Sequence, residues 1–166
     1  MLLEASKVAV GSIYLTMRNL LTTIIGAVGL ALLARAITQE DMGTLAVLTL
    51  ITGLAQLISD FSLSSALSKY VAELKGRGKD FTAYFMATLT FKTMLTAIVS
   101  LILSAFAWNL ASTALKSPAH SSLIVLAAID VFFASFMLTF DSLLLGAGLL
   151  ERMAICQVLS TLSRWI

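Results

Sequence analysis

Long apolar runs separated by short polar ones dominate this chain. Four of the runs are long enough to cross a bilayer as a helix, which takes about 20 mostly apolar residues. They lie at Val8 to Leu33, from about Thr38 to Ser59, within Phe81 to Leu115, and at about His120 to Leu150. A fifth apolar segment, Met153 to Ser163, has about half the required length. The pattern predicts an all-α polytopic membrane helix bundle. It forms a single membrane domain over residues 1–166, with four full transmembrane helices plus the start of a fifth.

Composition strengthens this interpretation and excludes several classes of protein. The 166 residues are 59% hydrophobic and 12% charged, whereas soluble domains carry about 25% charged residues. The net charge of +2 is too small to indicate a nucleic-acid partner. The single Cys156 excludes an internal disulfide, and His120 has no second histidine or cysteine near it. We therefore expect neither a metal nor a cofactor.

The first apolar run has to be distinguished from a cleaved signal peptide. Lys7 and the sequence Ala34-Arg35-Ala36 loosely imitate the basic region and the cleavage site of such a peptide. A secretory core, however, usually has about 7–15 apolar residues. The run from Val8 to Leu33 is far longer and contains Arg18. We expect an uncleaved spanning helix.

The loops predict the orientation, because cytoplasmic loops of membrane proteins are enriched in lysine and arginine. The outer side would hold only Arg35 and Lys116. The basic residues expected inside are Lys7, Lys69, Lys75, Arg77, Lys79 and Arg152. The chain should therefore be a multi-pass protein of the cytoplasmic membrane, with its amino terminus in the cytoplasm.

The second span has recognisable ends. Thr38 and Asp41 resemble a capping box, which satisfies free amides at a helix start. The polar stretch that begins at Asp60 and runs to Ser65 marks either the cytoplasmic interface or a local break facing a cavity. Beyond it, Lys69 and Glu73 are four residues apart and are expected to pair on a helix.

The third and fourth spans also have predicted boundaries. Lys92 splits the third apolar run, and two interpretations stay open. Either Phe81 to Phe91 is a cytoplasmic amphipathic segment and Thr93 to Leu115 crosses alone, or Lys92 faces the interior of the bundle. Ser117-Pro118 is typical of a cap followed by a first helical residue. Glu151-Arg152 is expected to form a short cytoplasmic turn.

Ionisable residues at membrane depth are costly and mark candidate functional positions. Arg18, beside Asn19, lies about 16 Å along the helix from Lys7, a long reach for a side chain that extends to the headgroups. Asp130 and Asp141 are eleven residues apart and therefore within roughly 20° of the same helix face. The candidate residues of a substrate or ion pathway are Arg18, Asn19, Asp60, Lys92, Asp130 and Asp141.

The stretch from Leu32 to Asp80 resembles the second-helix region of the polysaccharide-biosynthesis flippases, within the multidrug, oligosaccharidyl-lipid and polysaccharide exporter superfamily. The matching elements are Ala34-Arg35, Thr38 to Gly43, Asp60 to Leu63, and Tyr70 to Glu73. Ser62 is a departure, because the family usually has glycine there.

The resemblance implies a two-lobed bundle of twelve or more helices that opens alternately to each face. Its substrate would be a lipid-linked oligosaccharide whose pyrophosphate headgroup occupies a polar cavity. Arg18 would then contact the phosphate, and Asp130, Asp60 or Asp141 would balance charge or bind a coupling proton or sodium ion. On this basis the chain would supply most of the first lobe and lack the C-terminal lobe.

Two other functions compete with this one. A drug–cation antiporter of the same superfamily would have the same topology, and a small tetraspanning assembly or scaffold protein would be complete at Ile166. An intramembrane enzyme is not expected, because Asp130 and Asp141 are too far apart to act as a dyad. The chain also has no Gly-x-Ser-x-Gly or His-Glu-x-x-His motif.

Overall fold

The computed structural model describes the backbone of residues 2–165 and the side chains of residues 11–162. Within that part of the chain all regular structure is helical, which confirms the all-α prediction. The helices are α1 (Leu2–Ala36), α2 (Gln39–Asp60), α3 (Leu63–Gly76), α4 (Thr82–Ala105), α5 (Ala107–Ala114), a short 3-10 turn (Pro118–His120), α6 (Ser121–Gly146) and α7 (Leu150–Trp165).

Four of the described helical segments are long and apolar enough to cross a membrane. This number agrees with the number of spans predicted from the apolar runs. The segments are Gly11–Ala36, Gln39–Asp60, Thr82–Ala105 and Pro118–Gly146.

The end of α6 corrects one predicted boundary. Glu151 and Arg152 were expected to form a turn, but both lie in the first turn of α7. The turn is instead centred on Gly148, whose φ of 70° is left-handed. Glycine adopts this conformation without steric cost and commonly ends helices. By contrast, α2 begins directly after Thr38, as the capping pattern predicts.

The structure excludes one of the two interpretations of the third apolar run. Phe81 to Phe91 is not a separate segment, because α4 continues through Lys92 without interruption. The carboxylate of Asp80 accepts hydrogen bonds from the backbone N–H and the hydroxyl of Thr82, at 2.9 and 2.7 Å, and thereby fixes the helix start. The crossing does not reach Leu115, since α4 ends at Ala105 and α5 begins at Ala107.

The described residues form two compact units. In the first, α1 packs on α7. A Cβ atom on Gly11 would lie only 2.6 Å from Cδ1 of Leu150, so the end of the Leu150 side chain packs against α1 at this glycine. Met153 and Ala154 of α7 are buried in this unit.

The second unit contains α2 to α6, and α6 contacts each of the other four helices. The buried positions of α6 repeat with spacings of four, three and four residues. This repeat covers eleven residues in about three helical turns. These positions are Ile124, Ala128, Val131, Ser135, Thr139, Ser142 and Gly146. Most are small, which lets helices in membranes pack closely.

Two apolar clusters fill this second unit, with a polar layer between them along α6. The first cluster includes Leu103, Ile124 and Val131, and the second is formed by Leu67, Val71 and Phe85. The layer between them contains buried polar side chains from α4 and α6, namely Lys92, Thr96, Ser135 and Thr139.

Candidate functional site

The polar stretch after α2 is a genuine break in the helix. Phe61 and Ser62 both have positive φ, 40° and 62°. L-residues other than asparagine and aspartate rarely take this left-handed conformation, so the backbone here is strained. The resemblance noted above places glycine at the position of Ser62, and this φ is the conformation that glycine tolerates best.

A buried ion pair lies at this break. Nζ of Lys92 is 2.6 Å from Oδ1 of Asp60, although the two residues are 32 positions apart. The side chain of Lys92 is only 2% exposed, and that of Asp60 is 21% exposed. Nζ of Lys92 also donates to Oγ of Ser64 at 2.6 Å. Ser64 in turn donates to the same Asp60 oxygen. The sequence did not predict this arrangement, which closes a triangle of three polar groups; we call Asp60, Ser64 and Lys92 the break triad.

The charges of the break triad complement the helix ends beside it. The carboxyl end of a helix carries partial negative charge and the amino end partial positive charge. The last turn of α2 has no basic residue of its own, and the first turn of α3 has no acidic residue. The ammonium of Lys92 supplies the cation for the end of α2. The carboxylate of Asp60, just before α3, supplies the anion for its start.

A line of hydroxyl contacts continues from Lys92 along the α4–α6 interface. The hydroxyl of Thr96 donates to the backbone carbonyl of Lys92 at 2.8 Å. Its oxygen also lies 2.9 Å from Oγ of Ser135. One turn further, Ser100 donates to the carbonyl of Ala128 at 3.0 Å. Hydrogen bonds of this kind hold membrane helices together where the hydrophobic effect between helices is absent.

In the other unit, Arg18 and Asn19 lie side by side on α1. Nε and Nη2 of Arg18 donate to Oδ1 of Asn19 at 3.1 and 2.7 Å. Arg18 is half-buried and lies within the membrane-length segment Gly11–Ala36 of α1. Among the described side chains of its own unit, residues 11–38 and 148–162, no carboxylate is within ion-pair distance of this guanidinium. Its charge is therefore not balanced by that part of the chain.

The two acids of α6 share a face, as their spacing predicts, but not the face that is buried in the second unit. Both lie roughly 130° around the helix from the centre of the buried stripe. Asp130 is exposed within its unit and Asp141 is half-buried. Of the six predicted site residues, the structure thus pairs Lys92 with Asp60 and Arg18 with Asn19. It brings neither acid of α6 to the break triad.

Ser64, Thr96 and Ser135 were missed by reasoning on the sequence. A signal for the first two was present, because Ser64 follows Asp60 by four residues and Thr96 follows Lys92 by four. On a continuous helix residues at this spacing meet on one face, which holds for Lys92 and Thr96 of α4, whereas Ser64 reaches Asp60 across the helix break. Ser135 gave no such signal, since its contact with Thr96 depends on how α4 packs against α6.

Comparison with known proteins identifies the family. A family model described as "Polysaccharide biosynthesis protein" matches residues 8–166. The chain belongs to this family. No curated protein and no solved structure shows a match. The family match agrees with the resemblance found in the stretch from Leu32 to Asp80. Together with the four membrane-length helices, it makes this a multi-pass membrane protein with a transporter role.

This protein has a cluster of exposed basic side chains around the end of α3, namely Lys69, Lys75, Arg77 and Lys79. Nζ of Lys75 donates to the carbonyl of Ala147 at the end of α6, where the helix dipole favours a cation. Arg77 pairs with Glu73 at 2.6 Å, so the predicted pairing of Glu73 with Lys69 is wrong. Lys69 and Arg77 are each four residues from Glu73, about one helical turn, and Glu73 pairs with Arg77.

Proposed function

We propose that this chain is part of a flippase. The full-length protein would move a lipid-linked oligosaccharide across the cytoplasmic membrane by alternating access. The observation that carries the proposal is the family match over residues 8–166, combined with four helices able to cross a membrane. A charged headgroup crosses a bilayer only along a polar path between helices, because isolated charges in hydrocarbon are costly. The lipid portion of such a substrate stays among the apolar side chains.

Arg18 is our candidate for the contact with the pyrophosphate. Its guanidinium is held by Asn19 within a membrane-length helix, and no described carboxylate of its own unit pairs with it. Arginine binds phosphate well because its planar group donates paired hydrogen bonds. Asn19 would then orient the guanidinium, leaving other N–H donors for phosphate oxygens.

Asp130 is our candidate for coupling to a proton or sodium ion. It lies on the face of α6 that the second unit leaves exposed, within the most apolar of the four spans. A carboxylate at such a position is stable only against a polar surface or water. Reversible binding of a cation there would change the cost of exposing this face to the membrane.

The exposed basic residues around the end of α3 support an orientation with this end in the cytoplasm. Lysine and arginine in short loops are retained on the cytoplasmic side. If α1 and α2 each cross the membrane once, the amino terminus of α1 lies on the same side as the end of α3. The pyrophosphate-linked sugar would therefore enter from the side of α3.

The function can be tested in a host strain whose own copy of the gene is deleted. Arg18→Ala, expressed at the wild-type level, should abolish surface glycan and cause lipid-linked oligosaccharide to accumulate in the membrane. Arg18→Lys should restore export in part, because the charge remains and the paired donors are lost. Arg152→Ala is the matched control, since Arg152 is exposed on α7 and is not one of the candidate pathway residues, and it should export normally.

Wild-type glycan export by Arg18→Ala would overturn the assignment of Arg18. The antiporter of the same superfamily makes a different prediction in the same strain. For an antiporter, deletion of the gene would leave surface glycan unchanged and raise sensitivity to organic cations. That outcome would overturn the flippase proposal as a whole.

A further inference from the structure

The break triad has the composition of a cation site in which the cation is a side chain. An ammonium lies 2.6 Å from a carboxylate oxygen and 2.6 Å from a hydroxyl oxygen, and it is almost fully buried. We propose that Asp60 and Ser64 form a binding site for a monovalent cation, and that the ammonium of Lys92 fills this site in place of a free ion. The inference does not depend on which substrate the protein moves.

The helix break explains why a cation belongs at this position. In membrane transporters, interrupted helices place free carbonyls and the negative ends of helices around bound cations. Here α2 stops at Asp60 and the chain passes through two residues with positive φ before α3 begins. The carboxylate, the hydroxyl of Ser64 and the carboxyl end of α2 all favour positive charge. The structure meets that requirement with a residue of α4.

The position of Lys92 makes the ammonium a fixed link between the break and α4. Lys92 lies about 15 Å along α4 from Thr82, within the membrane-length segment. Its ammonium contacts Asp60 at the end of α2 and Ser64 in the first turn of α3. The three helices are therefore joined through one cation. A free ion could leave with a change in its concentration, whereas the tethered ammonium cannot.

The proposal predicts how thermal stability depends on added cations. Purified protein in detergent would be compared in sodium, potassium, ammonium, methylammonium and choline chlorides at equal ionic strength. The apparent Tm of the wild type should be the same in all five. Lys92→Met keeps the apolar stem and removes the charge, so it leaves a buried carboxylate unpaired. Its apparent Tm in choline should fall by about 10 °C.

The decisive result is rescue by small cations. Ammonium, methylammonium or an alkali cation should restore most of the lost Tm of Lys92→Met in a saturable manner, whereas choline is too large to enter. The double variant Lys92→Met/Asp60→Asn, in which no charge remains, should be more stable in choline than Lys92→Met and indifferent to the cation. Lys69→Met, which removes an exposed lysine of α3, is the matched control and should behave as wild type.

Any one of four results would overturn the proposal. The first is a Lys92→Met variant with the same Tm in all five salts. The second is an equal cation response in the double variant, which would show that the ions act elsewhere. The third is a wild type whose Tm follows the cation. If Lys92→Met gives no folded protein in choline, its yield after solubilisation in ammonium provides the same comparison, and an equal absence of folded protein in both salts would count against the site.

Discussion

Gly146 of α6 passes directly against the backbone of Ser68 on α3. A Cβ atom at position 146 would lie 2.5 Å from the carbonyl oxygen of Ser68 and 2.9 Å from Cβ of Val71. Neither neighbour is the free end of a flexible side chain, so the two helices can be this close only because residue 146 has no side chain. The contact fixes the spacing of α3 and α6 beside the apolar cluster of Leu67 and Val71.

Gly146→Ala should therefore separate α3 from α6. Overpacking of this kind costs about 1–3 kcal/mol, which corresponds to a fall of roughly 3–10 °C in apparent Tm for a chain of this size. The measurement is thermal unfolding of purified protein in detergent. Gly53→Ala is the matched control, because a Cβ on this helical glycine meets nothing within 4 Å. Alanine is the better helix former there, so this variant should be as stable as wild type or more so. An unchanged Tm for Gly146→Ala would contradict the close contact.

The hydroxyl contact between Thr96 and Ser135 should contribute measurably to the α4–α6 interface. Both side chains are buried, and their oxygens are 2.9 Å apart. Thr96→Val and Ser135→Ala each remove one partner, and the double variant removes both. A double-mutant cycle should give a coupling free energy of about 0.6 kcal/mol and at most about 1.7 kcal/mol, as found for hydrogen bonds between membrane helices. A coupling free energy of zero would show that the two hydroxyls only bond within their own helices.

The start of α4 should respond to pH through Asp80. Hydrogen bonds from the hydroxyl and the backbone N–H of Thr82 lower the pKa of Asp80 from its ordinary value. A carboxyl group with a lower pKa in the folded state stabilises that state above the ordinary value near 3.9, and this contribution is lost as the pH falls through the lower folded value. Asp80→Asn should therefore lower the apparent Tm at neutral pH, and its difference from wild type should disappear in acid.

Thr82 supplies the control for this pH effect. Thr82→Val removes the hydroxyl, the largest cause of the lower pKa, and keeps the backbone donor. The pH-dependent difference between this variant and Thr82→Val/Asp80→Asn should be smaller than in the wild-type background. If Asp80→Asn differs from wild type equally at neutral and acid pH, the carboxylate is not what fixes the helix start.

The number of spans could be predicted from sequence because each span has its own signals. Apolar run length is a local property, and the start of α2 after Thr38 is set by neighbouring residues. The same holds for the alignment of Asp130 with Asp141, which follows from helix geometry. Helix geometry does not predict which face of α6 is buried, because burial depends on the helices that pack against it. The prediction that the acids of α6 face a polar path remains a prediction.

Lys92 shows that contacts between distant residues cannot be predicted from local sequence signals. A charged residue inside an apolar run favours a boundary when only the run is considered, since no partner is visible within one helical turn. The partner is Asp60, 32 residues earlier, and it is brought near by the packing of α2 against α4. Pairing reduces the cost of burying the lysine, so the helix continues through it. The polar stretch from Asp60 was recognised as a place for a break, but its contact with α4 was not.

The left-handed residue at the break gives a last prediction. Ser62 has a φ of 62°, and its side chain is exposed and makes no capping hydrogen bond. The conformation costs an ordinary L-residue about 1–2 kcal/mol, and more for a β-branched side chain. Ser62→Gly should therefore retain or raise the apparent Tm, since the relief of strain offsets the greater freedom of glycine in the unfolded chain. Ser62→Val should lower it by several degrees.

Ser65→Val, at an exposed helical position of α3, is the control and should have only a small effect on the apparent Tm. Equal losses for the two valine variants would mean that the break does not depend on the backbone at Ser62. A larger loss at Ser62 would show that the α2–α3 break is a fixed feature of the fold, which is the geometry that Lys92 requires to reach both Asp60 and Ser64.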